Sequence, residues 1–217
     1  MQFDFAVLSP LLRYKLLSST VTPRPIAWVS TLNSDDKTPN AAPFSLFNVF
    51  GEAPPVVAFA ILSRSLSDRK DTGNNVRQHG EFVVNLVSED NLDRMNVTAI
   101  DFEPSTSEFD EAGLTPAPSL KIRTPRIAES RVSFECRLMQ IINLGQMRSL
   151  IMGEVLAMHI RDDAVLDADR GHVDTPSLRI VGRGGPNSYI RTTDVLKLSV
   201  PSVDQWRRDR VPKPATL

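Results

Sequence analysis

The sequence predicts a mainly β fold, a partly open antiparallel barrel with a few short helices. Segments rich in β-branched and aromatic residues recur along the chain, and Pro, Gly and Asp separate them. These segments do not alternate regularly with helices, which argues against a doubly wound parallel sheet. A partly open antiparallel barrel protects sheet edges well. The predicted strands are residues 26–32, 41–50, 56–62, 81–87, 131–138 and 150–160.

The clearest strand is residues 131–138. Its apolar residues alternate strictly with its polar ones, so we expect one buried face and one solvated face. Residues 56–62 are apolar throughout, as in a buried central strand. Gly145 lies between the last two predicted strands and favours a hairpin there. The alternating residues are Val132, Phe134, Cys136 and Leu138 on one face, with Arg131, Ser133, Glu135 and Arg137 on the other.

Two short helices are predicted. Residues 72–79 follow a polar Asp-Thr cap. Residues 88–100 can be capped by Ser88, and Leu92, Met95 and Ala99 fall on one face. Long loops at residues 104–118 and 162–176 are of a length that is often functional or forms interfaces.

The bulk composition excludes several classes of protein. The 217 residues suit one domain, and a net charge of −1 provides no general field for nucleic acid or an anionic membrane. The longest apolar run is far shorter than the ~20 residues that span a bilayer. Cys136 is the sole cysteine, so no disulfide forms within the chain. With no signal-peptide pattern at the start, we expect a cytoplasmic protein.

The first candidate motif is residues 63–72, which follow a buried strand and precede a helix. Arg64, Arg69 and Lys70 lie within seven positions, among Ser and Thr hydroxyls. A cationic loop at a helix N-terminus is suited to a phosphate group. On charge alone, a solvated loop with two exposed ion pairs is the better explanation. Residues 67–70 also match the Ser-x-x-Lys of β-lactamases, but the companion motifs are missing.

Two further motifs have binding and structural interpretations. In residues 22–31, two prolines fix where Arg24 points, although an exposed arginine beside an edge strand explains the same pattern. In residues 40–48, small residues and a proline let the backbone approach a flat ligand, and Phe44 and Phe47 are placed to cover its ring. Core phenylalanines in a barrel strand explain this spacing equally well.

The fourth motif, residues 182–191, is glycine-rich. Asn187 occupies the last glycine position of G-x-G-x-x-G, and Pro186 falls where a helix should begin, so a Rossmann site is excluded. A tight turn into a strand with Tyr189 remains. The three histidines are scattered and there is no cysteine pair, so no metal site is predicted. Cys136 and His159 are interpreted as structural.

In combination these segments resemble the flavin reductase-like family of FMN-binding split barrels. The resemblance lies in the ordered series RPIAWVST, NAAPFSLFN, an apolar strand, SRSLSDRKDT and EFVVNLV, with Gly153-Glu154-Val155 later. It covers roughly residues 12–192. It implies a Greek-key split β-barrel for residues 1–194, a homodimer, and FMN near the subunit interface. Residues 195–217 would be an extension, with Trp206 packed on the partner.

The resemblance also implies the site. Lys70, Asp71 and Thr72, with help from Arg64, would hold the FMN phosphate. Residues 42–45, which are Ala42, Pro43, Phe44 and Ser45, would line the isoalloxazine edge together with Asn48. Arg24 and Tyr189 are further candidates. No catalytic side chain is required, because the cofactor carries the chemistry.

Three functions remain open. The first is an oxidoreductase that passes a hydride from NAD(P)H to FMN and electrons onward to free flavin, ferric iron or an organic acceptor. The second is a flavoredoxin-like carrier that receives electrons from a protein. The third is a flavin-binding module without enzymatic activity.

Overall fold

The computed structural model describes residues 1–103 and 106–210, the last two by their backbone alone. Strands dominate, and five α-helices and three 3-10 turns connect them. The strands are β1 (Arg24–Pro25), β2 (Ala27–Leu32), β3 (Pro39–Phe44), β4 (Phe47–Glu52), β5 (Pro55–Leu62), β6 (Glu81–Leu86), β7 (Pro116–Ala117), β8 (Arg126–Ile127), β9 (Val132–Leu144), β10 (Arg148–Ile160), β11 (Val165–Asp167), β12 (His172–Val173), β13 (Val181–Arg183) and β14 (Tyr189–Arg191). The helices are α1 (Pro10–Thr20), α2 (Asp71–His79), α3 (Leu92–Val97), α4 (Glu108–Glu111) and α5 (Val203–Arg210).

The main sheet has seven antiparallel strands in the order β3-β2-β6-β9-β10-β5-β4. Only Ser45 and Leu46 separate β3 from β4 along the chain, yet these strands occupy opposite edges of the sheet. The sheet must therefore curl until its edges approach. The ring of Phe44 on β3 lies 5.0 Å from that of Phe59 on β5, which confirms the approach. Because β3 and β4 form no ladder, the barrel is split there, as the predicted fold class requires.

Two apolar clusters hold the sheet in place. One fills the barrel and includes the edge-to-face pair Phe59 and Phe82, with Cys136 and Ile151 fully buried beside them. Gly153 is required here, because the ring of Phe82 occupies the space that a Cβ would take. The other cluster lies on the outer face around Trp28, under α3 and α4. Burial of such large side chains is the dominant stabilising term in a domain of this size.

The predicted strand at residues 41–50 is two strands. β3 ends at Phe44, the chain bends at Ser45 and Leu46, and β4 begins at Phe47. Composition favoured one continuous strand, but barrel closure requires the chain to change edges at this point. The other predicted strands and the hairpin with Gly145 in a left-handed turn (φ 76°) are confirmed.

The expectation of a solvated face on residues 131–138 is wrong at two positions. Ser133 and Glu135 are fully buried, because residues 118–127 cross over that face. The Glu135 carboxylate accepts hydrogen bonds from the backbone N–H groups of Leu120 (2.7 Å) and Lys121 (2.6 Å) and contacts His159 Nε2 at 2.5 Å. Burial opposes ionisation of Glu135, but these bonds outweigh it and lower the pKa. His159 is structural, as interpreted.

The helices differ from the prediction in detail. Lys70, not the Asp-Thr pair, is the N-cap of α2. The predicted helix at residues 88–100 is a 3-10 turn (Glu89–Asn91) followed by α3, and Thr98 is buried there while Ala99 is exposed. α1, α4 and α5 were not predicted, since none has a strong apolar stripe. Pro104 and Ser105 of the predicted loop at 104–118, and residues 211–217 of the predicted extension, lie outside the described residues.

Candidate functional site

The loop from β5 to α2 contains the predicted cationic motif. The Lys70 carbonyl accepts hydrogen bonds from the N–H groups of Gly73 (2.9 Å) and Asn74 (3.2 Å), which starts α2. In the part of the chain that the structure describes, no side chain caps this end of the helix. The positive end of the helix dipole therefore faces the loop, which is favourable for an anion.

Carboxylates surround Arg64, the arginine of this loop. Its guanidinium donates to Asp71 (3.0 Å) and Asp101 (2.9 Å), and Asp68 lies 3.9 Å away. The hydrogen bond with Asp71 is the main cause that raises the pKa of Arg64, and the bond from Arg64 lowers the pKa of Asp101. The charge of Arg64 is thus held in place and largely compensated.

A small cavity of about 70 Å³ brings most of the predicted binding residues together. This is a little more than the volume that two water molecules occupy in liquid water, and it is enough for one compact polar group. We call Arg64, Lys70, Asp71 and Thr72 the anion cradle. The predicted residues around the cavity are Ala42, Pro43, Phe44 and the four members of the anion cradle.

Asn40 and Glu108 also line this cavity and were not predicted. Asn40 Oδ1 accepts a hydrogen bond from the Thr72 hydroxyl (3.2 Å), and its Nδ2 donates to Glu108 Oε2 (2.8 Å). Glu108 is 8% exposed, and burial raises the pKa of its carboxyl group. Asn40 stands inside the quoted motif and was open to prediction, whereas Glu108 lies in a segment without periodicity.

The cavity at the anion cradle adjoins a larger one of about 520 Å³. Pro43, Phe44 and Lys70 line both, so the two spaces share a wall beside the split between β3 and β4. The Phe44 and Phe47 side chains are buried in the barrel core, which supports the structural interpretation of both residues. Phe44 still contributes to the cavity walls, while Phe47 lines neither space.

The remaining predicted residues lie elsewhere. Ser45, Arg24 and Tyr189 line a third cavity of about 290 Å³, which shares Pro43 with the other two. Arg24 is buried rather than exposed, and its guanidinium donates to the carbonyl oxygens of Ser18 and Gly184. Asn48 is exposed on β4 and lines none of these cavities; its Oδ1 accepts from the backbone N–H of Val49.

Three more residues near these cavities were missed by the sequence analysis. The Arg183 guanidinium lies 4.7 Å from the centre of the Tyr189 ring, and that of Arg148 lies 5.9 Å from the Tyr14 ring. Both geometries are cation–π contacts. Tyr14 belongs to the unpredicted α1, and Arg148 starts β10, so neither had a neighbouring motif to identify it.

The donor set fits a phosphate ester attached to a flat ring. Lys70, the Thr72 hydroxyl and the start of α2 offer donors to a phosphate at the small cavity. The adjoining space is within the usual 300–1,000 Å³ of ligand pockets. Among the described residues there is no cluster of three or more metal-ligating side chains, and none of the helices has the length and apolar character that a membrane crossing needs.

The sequence matches the family model of the flavin reductase like domain over residues 18–175. The 2-nitrobenzoate 2-nitroreductase NbaA of Pseudomonas fluorescens has a similar structure, with a TM-score of 0.85 and 36% sequence identity. That comparison covers 94% of this chain and 98% of the other. The match extends well beyond the site and includes nearly all of both proteins.

Two other solved structures are also similar. Nitrilotriacetate monooxygenase component B of Bacillus cereus is 28% identical with a TM-score of 0.86, covering 91% of this chain and 98% of that one. A Shewanella frigidimarina protein described with a split barrel domain has a TM-score of 0.79 at 21% identity, covering 93% of this chain and 100% of that chain. The last comparison supports the fold alone.

Proposed function

Since the chain belongs to the flavin reductase-like family, we propose that it is an FMN-dependent oxidoreductase that takes a hydride from NAD(P)H. The observation that carries this proposal is that two cavities share a wall. A small one at the start of α2, lined by Arg64 and Lys70, adjoins across Pro43 and Phe44 one that is large enough for a fused ring. This is the shape expected for a flat ring with a phosphate tail.

Each part of the site has a separate task in this proposal. Lys70 binds the phosphate through a charge-assisted hydrogen bond and Thr72 through its hydroxyl group. Arg64 can also bind it if the phosphate displaces the carboxylate of Asp71 or Asp101. The Thr72 hydroxyl donates to Asn40 Oδ1 (3.2 Å) in the free site and turns from Asn40 to the phosphate when the ester binds. The backbone of residues 42–45 supports the ring edge. When bound, FMN supplies the acceptor for the hydride, so no acid or base side chain is obligatory.

The electron acceptor is proposed from the same set: free flavin, ferric iron or an organic molecule. The similarity to NbaA, which is named for a nitroaromatic acid, favours an organic acceptor. The protein would then act at the exposed side of the ring, where Ser45 and Pro43 border two of the cavities.

We also propose a cytoplasmic homodimer. α1 has no buried residue, and Leu11, Leu12 and Leu17 on it are exposed. Val49 and Phe50 on β4 are exposed as well. Apolar surface on this scale is typical of a protein interface, and a second copy is the simplest partner for a soluble chain. Light scattering should give twice the chain mass; a monomer would contradict this part.

The visible spectrum of the purified protein tests the function. We expect bound FMN, and rapid bleaching of its visible absorption when NADH or NADPH is added without oxygen. Free FMN under the same conditions is the control for uncatalysed reduction. Bound FMN that does not bleach would rule out the reductase. Slow bleaching that a protein reductase accelerates would identify an electron carrier.

A further inference from the structure

Cationic side chains surround the cavities next to Pro43 and Ser45. The cavity that contains Arg24, the large cavity, and another of about 330 Å³ beneath α1 share Tyr14 in their walls. We call Tyr14, Arg24, Arg148, Arg183 and Tyr189 the arginine basin. Lys15 lines the cavity beneath α1 and Lys70 lines the large cavity, and no Asp or Glu among the described residues lines any of the three.

Among the side chains that the structure describes, in residues 1–103 and 106–208, none of the three arginines of the basin has an acidic partner. Arg24, Arg148 and Arg183 form no ion pair there. Arg64, Arg131 and Arg191 are among the arginines that do form ion pairs. Cations gathered without carboxylates create a positive potential that an anion relieves.

Arg24 is the most informative of the three. It is 6% exposed, and among the described residues only backbone carbonyl oxygens accept from its guanidinium, while its buried Nε has no hydrogen-bond partner there. A buried charge is normally paired, because leaving water is unfavourable for an ion. The surroundings of Arg24 therefore favour an incoming negative group.

The basin is also held in one geometry. Tyr189 donates its hydroxyl hydrogen to Asn96 Oδ1 at 2.6 Å, which fixes the ring under Arg183. Tyr14 supports Arg148 from the other side of the space. Such fixed guanidinium groups suit planar oxyanions, which they bind with two parallel hydrogen bonds.

We propose that the arginine basin binds the oxyanion of the small-molecule redox partner of the flavin. This inference rests on the proposed function, since it places the partner beside the segment that would support the ring. Transfer of a hydride needs reacting atoms about 3–3.5 Å apart, so the partner must lie against the ring, near that segment. The oxyanion is the carboxylate of an aromatic acid or the phosphate of a nicotinamide nucleotide.

Calorimetric titration of the FMN-loaded protein tests the basin. Benzoate probes the carboxylate source, adenosine 2′,5′-bisphosphate probes the phosphate source, and neutral benzamide is the ligand control. We expect one of the anions to bind and benzamide to bind at least about tenfold more weakly, as the loss of a charge-assisted pair requires. Arg24 is left intact because its burial makes a folding defect the expected result of its replacement.

The variants Arg183→Gln and Arg148→Gln locate the binding. Each should weaken the anion by about tenfold, while Arg170→Gln, at an exposed arginine outside the basin, should not change it. FMN content is measured in every sample. Protein that binds FMN but neither anion, or that binds them equally in all variants, overturns the basin and leaves the proposed function standing. Protein that cannot bind FMN contradicts the proposed function itself, and anion binding to it that still needs Arg183 supports the basin separately.

Discussion

The anion cradle and the arginine basin both present arginines to a cavity wall, but their charges are balanced differently. Arg64 of the cradle is held by the carboxylates of Asp71 and Asp101. Arg24 of the basin is held by backbone carbonyl oxygens, and Arg183 by an aromatic ring. A ligand at the cradle must replace internal partners, whereas a ligand at the basin meets uncompensated charge.

Because of this difference, we expect the cradle to be selective for its ligand and the basin to attract oxyanions in general. Displacing a carboxylate from Arg64 lowers the net binding free energy, so only a ligand with several matched contacts binds tightly at the cradle. The basin attracts oxyanions more generally, and salt should screen its attraction more strongly. Four sets of substitutions test whether the two regions act independently.

The largest effect is expected when the cradle loses its donors. Lys70→Ala and Thr72→Ala should each lower FMN affinity by about 1.5–3 kcal/mol, because each removes a hydrogen bond to a charged phosphate. Thr72→Ser should retain most of the affinity, and Lys37→Ala, at an exposed loop lysine, should change nothing. Fluorescence titration of FMN measures this, and unchanged affinity would remove the loop from the site.

Gly182→Ala is expected to disturb the basin alone. A Cβ at Gly182 would lie 2.5 Å from Pro23 Cβ and 3.2 Å from the Arg24 carbonyl oxygen. Overpacking of this kind costs about 1–3 kcal/mol, and it separates β1 from β13, which carry Arg24 and Arg183. Urea unfolding should show lower stability, and benzoate should bind more weakly. Gly185→Ala, where a Cβ would make only an ordinary contact with Ser188 Oγ at 3.8 Å, is the control; a parallel loss of FMN affinity would show that the regions are coupled.

Glu108→Gln should stabilise the free protein at neutral pH by roughly 1 kcal/mol. The raised pKa of Glu108 means that the folded protein keeps a proton that the unfolded chain releases. Its contribution to the free energy of unfolding therefore declines as pH rises above about 4.5, and the amide abolishes that decline. Urea unfolding between pH 4 and pH 8 should show the gain growing with pH. Glu111→Gln on the same helix is the control, and a gain independent of pH would contradict the assignment.

Asp101→Asn should have the smallest effect. It removes one exposed carboxylate from Arg64, and exposed ion pairs contribute about 0.2–1 kcal/mol. The released guanidinium should strengthen FMN binding a few-fold at low salt, and less at high salt. Asp93→Asn, another exposed residue, serves as the matched comparison. Weaker FMN binding in Asp101→Asn would mean that Asp101 positions Arg64 rather than competing for it.

The parts of the fold that could be predicted are those where local pattern and tertiary environment agree. Residues 56–62 and 150–160 are strands because their patterns match the pleat. The prediction of a solvated face around Glu135 was wrong because another segment, residues 118–127, covers it. The local alternation of polar and apolar residues contains no information about that segment. The prediction of one strand at 41–50 was wrong because closure of the barrel, which depends on the whole fold, divides this segment into β3 and β4.

The candidate site divides in the same way. The predicted residues around the small cavity come from two motifs, residues 40–48 and 63–72, so the sequence and its family resemblance were sufficient to group them. Arg183 lies in the glycine-rich motif, residues 182–191, but was not among the predicted site residues, because its role depends on the Tyr189 ring beside it. Arg148 and Tyr14 meet only through the folded chain, and Asn48 was selected from a motif whose end turns away from the cavities.

The two-residue connection between β3 and β4 has a consequence for folding. Ser45 and Leu46 link the two edge strands of the curled sheet, which form no ladder with each other, and the adjoining Pro43 and Phe44 line the cavities at that split. A ring bound there would contact residues on both sides of the split and stabilise the relative position of the two edge strands. Adding cofactor should therefore slow amide exchange along β3 and β4 as well as raise the melting temperature.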